Sequence, residues 1–463
     1  MPLTLDTNWT PTSWRQKEAD YQPSYDDPGE LATVIEQLET LPPLVTSWEV
    51  RTLKSQLAEA GRGERFLLQG GDCAERFDEC TAEIITNRLK ILLQMSLVLV
   101  FGLKQRVVRV GRFAGQYAKP RSSDVETCGG ESLPSYRGDI INGIAFTPEA
   151  RRPDPQRMLQ AYSSSAMTLN LVRALGESGF ADLHHPEYWK LNFVQHAPLA
   201  AEYREMVNAI KNAVSFMETV SDSPLHSLDR ATFFTSHEAL HLPYEQALTR
   251  FVPHQKGAYN LSTHFPWIGM RTAQEDSAHV EYARGIANPL GIKIGPSMRP
   301  AALLKLVDAL DPNNEPGRLT FICRFGADAI GANLPPLVEA VKREGRTVLW
   351  TSDPMHGNTE MTTSGIKTRR FENILSELEQ AFDILQACGS HLGGVHFELT
   401  GENVTECTGG AVGLEDADLE HAYTSQVDPR LNYEQALEMA FLIVRKSNRM
   451  GAINVRTFNI RTS

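Results

Sequence analysis

Cysteine is scarce in this chain, six residues in 463 at irregular spacings. That excludes a disulfide framework and leaves reduced thiols, among them candidate metal ligands. Positive charge is also short. With 45 Lys and Arg against 57 Asp and Glu, a net charge of -12 and no basic cluster, a nucleic-acid partner is excluded. Long hydrophobic runs are missing too: the longest, Ile91 to Leu103, is interrupted by Gln94, Ser96 and Gly102 and is too short to cross a bilayer. The N-terminus has no basic and apolar leader pattern, so a cytoplasmic location is expected. No linker or low-complexity stretch divides residues 1–463, which read as a single catalytic domain.

What the chain does have is eight short apolar runs, nearly all ending in a group that can hold a metal, a phosphate or a carbonyl. They are Phe66 to Cys73, Arg106 to Arg112, Ala231 to Glu238, Ala258 to Phe265, Gly291 to Pro296, Leu319 to Gly326, Thr347 to Gly357 and Gly393 to Gly401. Between them lie stripes of helical period, such as Leu303, Leu306, Val307 and Leu310, or Phe371, Ile374, Leu378, Phe382 and Leu385. A further stripe from Tyr433 to Val444 follows Asn432, a plausible helix cap. Eight strand–helix units predict an α/β protein, a (β/α)8 TIM barrel spanning residues 61–463, with its chemistry at the C-terminal strand ends. Two segments exceed a minimal barrel. Residues 1–60, rich in Pro, predict an N-terminal extension with one helix around Glu30 to Leu41. A helical insertion at about 145–225, between strands 2 and 3, predicts helices at Met158 to Leu175 and Glu202 to Val220. Both are expected to serve assembly into a homodimer or higher homo-oligomer, or effector binding.

Four residues at these run ends form a candidate metal set: Cys73 after Gly70, Gly71 and Asp72, His356 in DPMHGN, Glu398 near the end of the eighth run, and Asp428 in VDPRLN. Thiolate, imidazole and two carboxylates suit Mn, Fe, Co or Zn with an open coordination position. Taken singly, Cys73 reads as a buried apolar side chain, His356 as a loop histidine and Asp428 as a helix cap. Glu398 differs, because a carboxylate in an apolar strand needs a partner. His396, two residues before Glu398 and on the same strand face, is a fifth candidate, expected behind the ligands.

Arg112, Lys293 and Arg324 end three other runs, and Arg271 follows a fourth in WIGMRT. Cations converging on one barrel face call for an anion, here a phosphorylated and carboxylated substrate. The competing reading pairs each with an acid at the barrel rim. KPRSSD (Lys119 to Asp124) adds Lys119, Arg121 and Ser122 beside Pro120, a second anion site near the first. Two anion sites beside one metal imply two phosphorylated substrates joined at a carbonyl.

The motifs GGDCAE, VGRFAGQYAKPRS, PSYRGD, HFPWIGMRT, GIKIGP, DPMHGNT, GGVHFELTGENVTECTGG and DPRLN together resemble the type II 3-deoxy-D-arabino-heptulosonate 7-phosphate (DAHP) synthases. The resemblance runs from about Trp14 to the C-terminus. It implies a transferase of the shikimate pathway to aromatic amino acids that condenses phosphoenolpyruvate with erythrose 4-phosphate, aided by a divalent metal, Mn2+ or Co2+. It implies metal ligands at Cys73, His356, Glu398 and Asp428, and phosphoenolpyruvate contacts at Arg112, Arg271, Lys293 and Arg324, with Trp267 in the same motif. The tetrose phosphate falls to Lys119, Pro120, Arg121 and Ser122. Lys119 or His356 is the implied proton donor to the new hydroxyl, with metal-bound water as the other source. A chorismate mutase or an amino acid is the implied effector. This chain departs from the family pattern at four places: Met270 replaces a Glu before Arg271, Val427 a Cys before Asp428, Phe325 a Met and Ser352 a Cys. Met270 leaves open a specialised paralogue using a modified aldehyde phosphate, such as an aminoDAHP synthase; a third reading, a non-catalytic regulatory barrel, is opposed by the retention of all four implied metal ligands.

Overall fold

The computed structural model describes residues 9–121, 123–181, 200–221 and 230–460. Eight parallel strands close into a barrel: β1 (Arg65–Gly71), β2 (Arg106–Arg112), β3 (Phe234–Glu238), β4 (Phe265–Ile268), β5 (Leu290–Ile294), β6 (Leu319–Cys323), β7 (Leu349–Ser352) and β8 (Gly394–Glu398). Their order around the barrel is β1-β8-β7-β6-β5-β4-β3-β2, each strand beside its chain neighbour and β8 closing on β1. This is the expected (β/α)8 barrel.

Alternation along each strand decides what faces inward. Leu67, Val108, Val110, Phe234, Phe265 and Leu349 form one apolar cluster at the lower end of the barrel. Steps of two residues along the same strands lead to Arg112, Glu238, Trp267 and Asp353 at the upper end. The interior is therefore greasy below and ionic above, and only the upper end can do chemistry. The lower end is closed by a helix absent from the expected one-helix extension. Ser47–Gly61 (α2) follows Pro28–Thr40 (α1) and buries Leu53, Leu57 and Ala60 in the apolar cluster. Its start is fixed by a capping box, Thr46 accepting from the Glu49 backbone while Glu49 reaches back to Thr46. Each leucine buried there contributes about 1.5–3 kcal/mol, which explains why a polar-looking segment is helical.

A second correction concerns the fourth run. Ala258–Asn260 pairs with Thr249–Phe251 in a separate two-stranded hairpin, and the barrel strand begins only at Phe265. Pro266 breaks the sequence periodicity there, but its neighbours Trp267 and Ile268 supply the pairing to β5. The expected insertion holds helices Arg157–Glu177 and Ala200–Ser221. The helix Ala82–Leu103 (α3) is long and apolar enough by composition to cross a membrane, yet 67% of its apolar window is buried within the protein, against β1, β2 and the C-terminal helix Tyr433–Ile460.

Candidate active site

The upper end of the barrel opens into a cavity of about 250 Å³ whose walls carry Arg112, Lys119, Arg121, Arg271, Lys293, Arg324 and Lys367 against the carboxylates of Glu238 and Asp428. The loop following β1 positions the first donor. Gly71 has φ +146°, and a Cβ there would sit 2.8 Å from the Arg112 carbonyl, so only glycine lets the chain turn while β1 and β2 stay paired. Cys73 Sγ and carboxylate oxygens of Glu398 and Asp428 then lie within 4.8 Å of one another. His356 Nε2 is 2.9 Å from Glu398 Oε1, and its Nδ1 is 2.8 Å from Asp353 Oδ2. A carboxylate behind the imidazole fixes the ring so that Nε2 faces the donor set.

Lys119 projects its ammonium into the middle of this group: 2.5 Å from Cys73 Sγ, 2.7 Å from Asp428 Oδ2 and 3.2 Å from Glu398 Oε1. A thiol and two carboxylates around one cationic centre, with the His356 imidazole outside that trio but against Glu398, fit a divalent metal of intermediate softness. Burial pushes the Cys73 thiol up to about 12, and Glu398 adds to that. Burial also opposes the charge on Glu398, but His356, Lys119, Arg369 and Arg112 overcome it and hold the carboxyl well below its usual range. Burial opposes the Lys119 charge as well; Asp428, Cys73 and Glu398 reverse that and keep it protonated.

The cations divide into two kinds. Arg112 donates to Glu398 at 3.0 Å and also contacts His396; Lys293 pairs with Asp353 at 3.2 Å. Both are acid-paired. Arg324 instead donates to the His356 carbonyl at 2.7 Å and lies 3.4 Å from Met270 Sδ. Arg271, exposed at the cavity mouth, donates to the Pro120 carbonyl at 3.2 Å. Trp267 forms the floor, with Arg112 5.2 Å and Lys293 5.7 Å from its ring centroid. Arg324 Nε, Trp267 Nε1 and Glu238 Oε1 are buried without a hydrogen-bond partner among the described residues. Such atoms around a cavity need a polar ligand. Arg121 pairs with Glu126 at 2.8 Å and lines the same cavity. Ser122 lies outside the described residues. His396 sits behind the donors, against Arg112 and edge-on to Trp267.

The sequence profile of the class-II DAHP synthetase family matches residues 9–444. The chain belongs to that family. It is 49% identical over 451 residues to a phospho-2-dehydro-3-deoxyheptonate aldolase of Neurospora crassa, covering 94% of this chain and 93% of that protein. A Streptomyces coelicolor protein of the same name is 48% identical over 444 residues, covering 95% and 98%. A third, from Mycolicibacterium smegmatis, is 46% identical over 447 residues, covering 96% and 95%.

Several residues of the site escaped the sequence reading. Arg369 donates to Glu398 Oε2 at 2.8 Å and to the Pro429 carbonyl, and Lys367 donates to Asp428 Oδ1 at 3.1 Å. Both come from the hairpin Thr359–Met361/Lys367–Arg369 beyond β7, which lies in no apolar run. Glu377 accepts the Phe325 N–H at 2.7 Å and the Asn358 side-chain amide at 2.7 Å, bolting the Arg324 loop to the His356 loop. Of the departures from the family pattern, Val427 shares a small recess with Cys73, while Phe325 and Ser352 are buried.

Proposed function

We propose that this chain is a DAHP synthase, condensing phosphoenolpyruvate with erythrose 4-phosphate and releasing inorganic phosphate. The observation that carries the reading is the cavity itself: seven cationic side chains around unpartnered buried donors, beside a set of metal-binding groups on the same rim. Family membership and the name shared by its relatives support the same reading. Arg112, Lys293, Arg324 and Arg271 would hold the carboxylate and phosphate of phosphoenolpyruvate above Trp267. Lys119, Pro120, Arg121 and Ser122 would hold the tetrose phosphate. Held this way, C3 of phosphoenolpyruvate attacks the aldehyde carbon, water adds at C2, and the C2–O bond to phosphate is lost. Two fixed anions make this encounter effectively unimolecular, and positioning supplies much of the acceleration.

A divalent ion held by Cys73, His356, Glu398 and Asp428 would supply Lewis-acid polarisation of the aldehyde oxygen. The mixed donors suit Mn, Fe, Co or Zn, and the family resemblance narrows these to Mn2+ or Co2+. Lys119, kept protonated by the carboxylates of Asp428 and Glu398, would give its proton to the new alkoxide, with His356 the alternative donor. Six free thiols accord with a reducing, cytoplasmic compartment.

The test is phosphate release from phosphoenolpyruvate with erythrose 4-phosphate under a series of metals. Arg324→Ala is expected to raise the KM for phosphoenolpyruvate by about 10- to 100-fold, the cost of a charged hydrogen-bond partner, and that for the tetrose far less. Arg121→Ala should do the reverse. Equal losses for both substrates in both variants would show the two pockets to be wrongly assigned.

Met270 affects turnover. An apolar thioether against Arg324 leaves Glu238 as the carboxylate opposite Arg271 in the cavity. Burial raises the Glu238 carboxyl, against the pull of Lys293, Lys119, Arg112 and Arg271. Restoring a second carboxylate with Met270→Glu is expected to raise kcat about tenfold, equivalent to about 1.4 kcal/mol of barrel-site stabilisation at the transition state, with less change in KM, because the added group would order the attacking water. Steady-state kinetics decide it: a slower variant would assign position 270 to packing or substrate selection.

A further inference from the structure

Cys73 and Asp428 are 355 residues apart in sequence, and beneath them runs a chain of buried charges that neither the cavity nor the anion sites use. Asp72, directly before Cys73, accepts from Arg430 Nη1 at 2.5 Å on one oxygen and pairs with Arg88 on the other. Arg430, two residues after Asp428, gives Nη2 to Glu406 Oε1 at 2.8 Å and Nε to Glu406 Oε2 at 3.0 Å. Its backbone N–H goes to the same oxygen at 2.8 Å. Glu406 also accepts the backbone N–H groups of Ser425 at 2.8 Å and Thr424 at 3.2 Å, and Ser425 Oγ donates to the Asp428 carbonyl at 2.6 Å. Asp72 and Glu406 are fully buried and Arg430 nearly so.

The turn that carries Asp428 is thus wrapped around one carboxylate and tied, through one guanidinium, to the residue preceding Cys73. We propose that Arg430, clamped between Glu406 and Asp72, is the positioning residue that sets the spacing of Cys73 and Asp428 and so the metal affinity of the site. The proposal rests on the metal reading above. A buried ionic chain contributes little net stability against an apolar equivalent. A metal site gains directly when its ligands are held at their bonding distance by the groups behind them. The planar fork of arginine matters here, because it reaches both carboxylates at fixed angles.

The experiment titrates metal-stripped, full-length protein with Co2+, reading the thiolate-to-cobalt charge-transfer absorption and, separately, the melting temperature. Arg430→Ala and Glu406→Gln are expected to weaken Co2+ binding by about 10- to 100-fold, and Arg430→Lys to recover part of that loss. A role in stability alone would lower the melting temperature while the Co2+ dissociation constant stayed within about twofold of wild type, and that result overturns the proposal. Should Arg430→Ala fail to fold, Glu406→Gln, which keeps the shape of the side chain, decides by the same criterion. Cys73→Ser is the separate control: if its charge-transfer band persists, the metal reading itself is wrong, whatever the Arg430 variants do.

Discussion

Cys73→Ser is expected to empty the site of metal after dialysis and to lower phosphate release by at least about 100-fold, since even groups behind metal ligands are worth 10- to 100-fold. The thiol is buried, with Asp428 Oδ2 at 3.6 Å and the Lys119 ammonium at 2.5 Å. Its ionisation, disfavoured by burial and by Glu398, depends on a cation at that position. Serine has the same shape but a far weaker tendency to ionise, so it offers a neutral hydroxyl in place of a thiolate and holds Mn2+ or Co2+ poorly. The fold should persist, because the apolar cluster at the opposite end of the barrel is untouched. Elemental analysis, phosphate release and circular dichroism measure the three quantities. Full occupancy and full activity in the variant would remove Cys73 from the site.

Glu398→Gln is expected to produce the largest loss of stability. One oxygen of this fully buried carboxylate takes Arg112 at 3.0 Å, Lys119 at 3.2 Å and His356 at 2.9 Å, and the other takes Arg369 at 2.8 Å. An amide removes the charge that balances them and turns N–H donors toward donors. Breaking a buried pair in this way costs about 3–5 kcal/mol. The sign of the pH dependence follows from the depressed carboxyl. A group whose pKa is lower folded than unfolded stabilises the protein above its ordinary range and loses that contribution as pH falls. The difference between wild type and variant should therefore be full at neutral pH and narrow in acid, below the ordinary glutamate range. Urea unfolding of metal-free protein at neutral and acid pH tests this. A deficit below about 1 kcal/mol at neutral pH, within the range of an ordinary surface pair, would mean that the four donors do not depend on Glu398.

The site was legible wherever a strand ends in a polar residue. Arg112, Lys293, Arg324 and Glu398 stood out because a charge at the end of an apolar run has no reason to be there except a partner or a ligand. His396 was legible as a neighbour of Glu398 by the two-residue period, though its partner proved to be Arg112. The rest of the site was hidden for two reasons. Lys367 and Arg369 lie in a short hairpin of mixed composition, where only the paired backbone turns them toward Asp428 and Glu398. Asp72, Glu406 and Arg430 are charged residues in loops, where sequence predicts solvent; their burial together was set by the packing of distant segments. Helix α2 was missed because it presents few apolar residues, though its capping box at Thr46 and Glu49 was readable.

By itself the sequence determined the barrel, all but one of its strand ends and the types of group gathered there, because alternation and periodicity are local properties; at the fourth strand Pro266 breaks the pattern. It determined the family too, through motifs long enough to be specific. Only the tertiary structure decided which cations are already matched by acids and which face the cavity, that Lys119 stands among the candidate metal ligands, and that Arg430 bridges Glu406 and Asp72. Those outcomes depend on distances between residues hundreds of positions apart. In a closed barrel such distances are fixed by how the loops pack above it, and Coulomb energy over a few ångströms is too sensitive to separation to be read from a linear order of residues.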